Sequence, residues 1–264
     1  MRELHGTRSM EFQQSTIDEI LDSEREMVRI ASQRYGQYYD HALECTLFLS
    51  KFVKSIDLDR HIAATFLAHV KKHHTLALFA TVRLHKVQSI MNLRQVLEAG
   101  ACAAFAIANP DHKHFVDTDK HGILDPSPKL AKKRYDWLKR NYLAGSNGID
   151  EIKKQLNQTG AHANFINAQA NFRTHYEEGW FATPFFDLED DYHVKADLWR
   201  IGSVAITLLD LFYGVNDGRN VIKFVDNFVP IFERLAAIDT TLLDELQSSD
   251  RYKRAMEKEI ARRD

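Results

Sequence analysis

The chain has 264 residues, 44% of them hydrophobic and 27% charged, with a formal net charge of −2. This suits one large globular domain with an ample core. The balance lacks the basic excess of a dedicated nucleic-acid binder, and no uncharged apolar run approaches the ~20 residues of a membrane span.

Met1 to about Gln14 shows no periodicity and reads as a flexible N-terminal arm, followed by a single helical domain over residues 15–264. The arm has no apolar signal-peptide core, and Cys45 and Cys102 have no CxxC spacing. Both features point to reduced core thiols and a cytoplasmic protein, with no membrane partner. Thr16-Ile-Asp-Glu19 and Ser23-Glu-Arg-Glu26 match the capping-box pattern, so a helix starts here. Met27, Ile30, Ala31, Arg34, Tyr38, His41, Ala42, Cys45, Leu49, Phe52 and Val53 then recur at helical steps, as one long helix or two joined near Gly36.

A second helix is expected from about Asp59 to Leu84, with Ile62, Phe66, His69, His73, Leu76, Ala80 and Arg83 on its inner stripe. The third, Lys86 to Asn109, is apolar on nearly every side of its second half and should be wrapped by other helices. Pro110 ends it, because proline disfavours helix in the preceding residue. Pro110 to Pro128 lacks a period. Ser127-Pro128 starts another helix, which Gly145-Ser-Asn-Gly148 is expected to end, and a short helix runs from Ile149 to Asn157. Residues 172–186, rich in aromatics around Glu177-Glu-Gly179, read as a β-hairpin whose second strand Pro184 would keep at an edge. Asp190 to Tyr213 is helical and apolar, Val221 to Ala237 a helix broken at Pro230, and Thr240 to about Arg262 the last helix. The fold class is all-α: a multi-helix bundle with one hairpin.

Arg94 and Glu98 stand four apart on one face of the apolar helix. Ionised groups in a core must pair, reach a rim or line a pocket. If the pair is buried, removing one partner costs roughly 3–5 kcal/mol; an exposed helical pair contributes only about 0.3–0.5. The preceding helix offers His69 and His73, and an antiparallel arrangement would gather all four side chains into a pocket for a small ligand such as an anion. The i,i+4 histidines have metal-ligand spacing but lack the HExxH glutamate, since Val70 and Lys71 stand between. Asp111, His112, His114, Asp117, Asp119, His121 and Asp125 are ligand types in no recognised spacing. No metal site and no cofactor are therefore assigned. P-loop, GxGxxG and GxSxG motifs are absent.

Arg34-Tyr-Gly-Gln-Tyr-Tyr-Asp-His41 fits the loose Arg-x(4–6)-His signature of HEPN-type ribonucleases, although Tyr35 replaces the polar residue that usually follows the arginine. Thr159-Gly-Ala-His162-Ala-Asn-Phe165 places a second histidine just past a helix stop. Together with LRQVLEAGACAAFAIAN, the stretch from Phe66 to Tyr213 resembles bacterial helical-bundle proteins of unknown function grouped near the HEPN-like and abortive-infection families. In these an Arg-x-x-x-Glu and a Ser/Thr-x-x-His recur, which would be Arg94, Glu98, Thr159 and His162 here. The resemblance implies an all-α fold more than an activity. The first expectation is a regulatory or binding module, homo-oligomeric and acting through a protein partner or small ligand. The alternative is a metal-independent HEPN-type ribonuclease of phage defence or a toxin system, with Arg34, His41 and His162 as candidate catalytic residues and RNA as substrate.

Overall fold

Physical chemistry at the helix ends shapes the first third of the molecule. A computed structural model describes residues 11–13, 15–118, 121–122, 124–125, 128–159, 172–175, 180–182, 184–187 and 190–260. Helix α1 (Ile17–Tyr35) starts at a complete capping box, in which the Thr16 hydroxyl accepts from the Glu19 N–H and the Glu19 carboxylate accepts from the Thr16 N–H. Helix α2 (Gln37–Lys51) is separate because Gly36 adopts φ 55°, a conformation that breaks the helix and favours glycine. Helices α3 (His61–Val82) and α4 (Lys86–Ala108) form a tight antiparallel pair. They are followed by α5 (Pro128–Asn141), α6 (Leu143–Thr159), α7 (Asp191–Asn216), α8 (Phe228–Ser248) and α9 (Asp250–Ile260).

The fold is all-α, and α4 and α7 lie at its centre. Helix α3 covers α4, α2 covers α7, and α4 and α7 pack on each other. A methyl group on Gly100 would lie 2.5 Å from Leu208 Cδ2, so the glycine is what lets α4 and α7 approach. Both central helices are long and apolar enough to cross a membrane, but 67% and 56% of their apolar windows are buried inside the bundle. Packing between helices accounts for their composition.

Short strands close the gaps. The expected hairpin forms from β5 (Arg173–His175) and β6 (Trp180–Ala182), paired antiparallel. Contrary to the edge expected from Pro184, β6 is the central strand, because β1 (Glu11–Gln13) pairs parallel on its other side. Part of the expected arm is thus a strand. Two further pairs form where the sequence was read as helix end or loop: β2 (Val53–Ile56) with β7 (Ile222–Phe224), and β3 (Asp117–Thr118) with β4 (Leu124–Asp125).

Two more helix boundaries differ from those expected. Gly145 and Gly148 lie inside α6 instead of ending α5, and added methyl groups there would meet Leu211 Cδ1 at 2.8 Å and Thr207 Cγ2 at 3.2 Å. They are contact glycines facing α7. Pro230 occupies the first turn of α8, where its missing N–H leaves no bond unmade, so the helix continues unbroken to Ser248.

Of the expected inner stripe of α3, Ile62 and Ala80 are buried, but between them the buried face is turned by about one residue. Ala63, Leu67, Val70, His74, Ala77 and Thr81 are buried, whereas His69 is exposed and His73 only half-buried. His74 is fully enclosed between α2, α3 and α7. Its Nε2–H donates to the Ile201 carbonyl at 3.0 Å, and Nδ1 faces the Thr46 hydroxyl at 3.1 Å. Burial depresses its pKa from 6.5 to about 4, so the ring is neutral at pH 7. A depressed histidine contributes stability that is complete above pH 6.5 and is lost as pH falls towards 4, because only the unfolded chain takes up the proton in that window. We expect the stability advantage over His74→Gln to shrink by roughly 3 kcal/mol between pH 7 and 4. Paired urea melts at the two pH values measure it, and a pH-independent difference would contradict the neutral, buried assignment.

Candidate functional site

The middle of α4 presents its polar side chains to α3, α5 and α6. Glu98 lies there between two cations. Arg94 Nε, one turn earlier, is 3.2 Å from Glu98 Oε1, and Lys153 Nζ of α6 is 3.8 Å from the same oxygen. Arg94 also donates to the Asn157 side-chain oxygen at 3.2 Å, which ties α4 to α6. Lys153 donates to the Tyr135 hydroxyl at 3.0 Å and lies 4.5 Å from the centre of that ring.

These groups border a cleft of about 360 Å³ that Phe66, His69, Glu98, Cys102, Arg134, Tyr135 and Lys153 help to line. Arg134 of α5 donates through Nη1 to the His114 carbonyl at 3.0 Å and stands 5.5 Å from the Phe115 ring centre. Its Nε is buried and has no acceptor among the described residues. Burial raises the Tyr135 pKa against the opposing pull of Lys153, and burial raises that of the Cys102 thiol against Arg134. Tyr135 and Cys102 are therefore neutral at pH 7, and the charges in and beside the cleft are Glu98 against Arg94, Arg134 and Lys153.

Of the four side chains expected to meet here, Glu98 and His69 line the cleft and Arg94 braces its rim. His73 turns elsewhere: its Nδ1 is 2.7 Å from the Asn92 amide oxygen, with the His69 ring 4.2 Å away. Arg134 and Lys153 were missed by the sequence reading, because they reach the cleft from α5 and α6 and share no helical spacing with Glu98. Tyr135 also lines the cleft, its hydroxyl held by Lys153.

Arg34 and His41 are not brought together on one surface. Arg34, at the end of α1, is half-exposed and pairs with Asp191 at 2.8 Å. It lines a groove with Tyr38, Tyr192, Lys195 and Glu245, and His41 is not part of that lining. His41 lies on α2 beneath the surface, with Nε2 3.1 Å from Asp239 Oδ1 and 3.6 Å from the Cys45 sulfur. Cys45, His41 and Asp239 have the residue types of a nucleophilic triad, but burial, reinforced by Asp239 and Glu44, pushes the Cys45 thiol far up and keeps it protonated. A methyl group on Gly202 would lie 2.7 Å from His41 Nε2, so the ring is pressed against α7. The trio packs α2 to α7 and α8.

His162 and residues 160–171 lie outside the described residues, and Thr159 ends α6. In the 110–128 segment, Asp111 accepts from the Lys113 N–H at 3.0 Å and pairs with its ammonium at 2.6 Å. Among the described residues no group of three His, Cys, Asp or Glu side chains is arranged to hold a metal ion. Comparison of the chain with protein-family models, with curated proteins and with solved structures finds no match.

The Arg94–Glu98 pair is not enclosed in the core: both side chains are 38% exposed. The buried alternative, with its large cost, is thereby corrected. Exposure at this level leaves a contribution below about 1 kcal/mol, since water screens the charges and solvates a lone survivor. Glu98→Gln is expected to lower stability by less than that in denaturant melts. A loss of roughly 3–5 kcal/mol would mean that the pair behaves as a desolvated one.

Proposed function

We propose that this chain is a non-catalytic binding module that takes a small oxyanion in the cleft between α3, α4, α5 and α6. The observation that carries this reading is that Arg134 and Lys153 line the cleft against one described carboxylate, Glu98. A bound carboxylate or phosphate would place its charge against these two cations, and charge-assisted contacts of this kind are the stronger ones. Lys153 supplies a second positive group across the cleft, and the apolar Phe66 and Ala99 walls suit a ligand with a short carbon skeleton. A homo-oligomeric, cytoplasmic state with a regulatory role belongs to the same proposal.

The HEPN-type ribonuclease reading draws no support from the positions of Arg34 and His41, one at the surface on Asp191 and one beneath it on Asp239. Two measurements on the purified chain test the proposal. Titration calorimetry with inorganic phosphate and with succinate should show saturable binding of at least one, weakened about tenfold or more by Arg134→Gln, the loss expected for one charge-assisted contact. Incubation with a mixed RNA pool should leave the RNA intact. Absence of binding to either anion, or RNA cleavage that disappears in His162→Ala, would overturn the binding-module reading.

A further inference from the structure

A second cleft, of about 480 Å³, opens where the α3–α4 turn meets α1 and the segment 184–187. The turn is built on an unusual stop. The His85 N–H donates to the Ala80 carbonyl at 2.8 Å across Leu84, which holds φ 57°. This is a Schellman-type helix end with leucine at the position that ordinarily favours glycine, a conformation costing of order 1 kcal/mol for a side chain with a Cβ. The segment 184–187 clamps the turn: the Asp187 N–H donates to the Leu84 carbonyl at 2.8 Å, and the Asp187 carboxylate accepts from the Lys86 N–H at 2.6 Å.

The clamp sets a compact polar end against an apolar wall. Glu24 of α1 reaches in, with Oε1 3.1 Å from His85 Nε2 and Oε2 3.9 Å from Arg83 Nη1. The Arg83 contact exceeds the ~2.7–2.9 Å of a charge-assisted hydrogen bond, so neither partner is saturated by the other. Arg83 Nε is buried with no acceptor among the described residues. The Phe185 ring meets the His85 ring edge-on at 5.1 Å. Leu76, Val87 and Phe185 line the cleft and are nevertheless exposed, which leaves an apolar wall in contact with water.

We propose that this cleft is a binding site for an apolar α-amino acid. A free amino acid carries a carboxylate and an ammonium on adjacent atoms, with an apolar body beside them. The carboxylate would meet the partly exposed guanidinium of Arg83, which Glu24 holds only at 3.9 Å through Nη1, and the ammonium would lie towards Glu24 and Asp187. The side chain would cover Leu76, Phe79, Val87 and Phe185. A simple acid would leave the two carboxylates facing its own charge, and a simple amine would face Arg83. The zwitterion satisfies both ends, and the volume lies within the ~300–1,000 Å³ of small-molecule sites.

Calorimetric titration of the intact chain with L-leucine, L-phenylalanine, phenylacetate and phenethylamine tests the assignment. At least one of the two amino acids should bind, and phenylacetate and phenethylamine should each bind at least about tenfold more weakly than it does, for want of one charged contact. Arg83→Gln and Glu24→Gln should each weaken amino-acid binding by a similar factor, with far-UV circular dichroism unchanged because both side chains keep partial solvent access and glutamine is a good helix former. Val87→Asp, at an exposed wall position, should weaken it further without affecting the helix. No binding of either amino acid at millimolar concentration, or equal binding of the acid, the amine and the zwitterion, would overturn the proposal.

Discussion

The interior of this bundle depends on one neutral imidazole. His74 has no contact with water, yet it joins three helices through directional bonds: its own α3, α7 through the Ile201 carbonyl, and α2 through Thr46. The Thr46 hydroxyl proton is shared, since Thr46 Oγ1 also lies 2.7 Å from the Ala42 carbonyl of its own helix. Apolar contacts in this core are non-directional and tolerate sliding; a ring with one donor and one acceptor does not. It sets the rotation of α3, and with it the face that α3 turns to α4. His69 and His73 point outward as a consequence, one towards a cleft and one towards Asn92.

Helix α4 is the wall shared by both clefts. Its buried residues, among them Leu93, Val96, Leu97 and Ala101, face the core. Its remaining positions carry the polar groups: Gln88 and Asn92 beside the α3–α4 turn, and Gln95 and Glu98 further along. The clefts therefore sit on a rigid element whose position is held by close helix contacts such as Gly100 against Leu208. Side chains on such an element are held in place by packing before any ligand arrives, which lowers the ordering cost of binding. In both clefts the partner groups come from other elements: Arg134, Tyr135 and Lys153 from α5 and α6, and Glu24 from α1.

What could be read from sequence was local. The capping box at Thr16, the break at Gly36 and the apolar belt of α4 each declare themselves within a few residues, and each is present. The inner face of α3 was missed by one position because HHTLALFATV is apolar around most of the wheel, so two neighbouring stripes differ little in hydropathy. Burial and the bonds to Thr46 and Ile201 distinguish His74 from His73, and none of these shows in the sequence. Gly145 and Gly148 read as breakers because a glycine needed for close packing and a glycine ending a helix look alike without the facing helix. Strands β2 and β7 are too short to show alternation, and their pairing joins distant parts of the chain. Glu98 and His69 were identifiable as ionisable groups on helices, but Arg134 and Lys153 join them only through the tertiary fold.

That distant pairing has a consequence for how the molecule is made. Strand β2 and the apolar side of α2 find their partners in β7, α7 and α8, near the other end of the chain. On a ribosome adding ~5–20 residues per second, α2 therefore emerges on the order of ten seconds or more before the surfaces that cover it. Helices α3 and α4 can zip together early, since a short turn joins them. Until α7 arrives, however, Phe48, Leu49 and Phe52 remain uncovered, together with the unpaired backbone of β2. The nascent chain thus carries an adhesive N-terminal third through most of its synthesis, and the cell's holding chaperones would meet it there before its own C-terminal helices do.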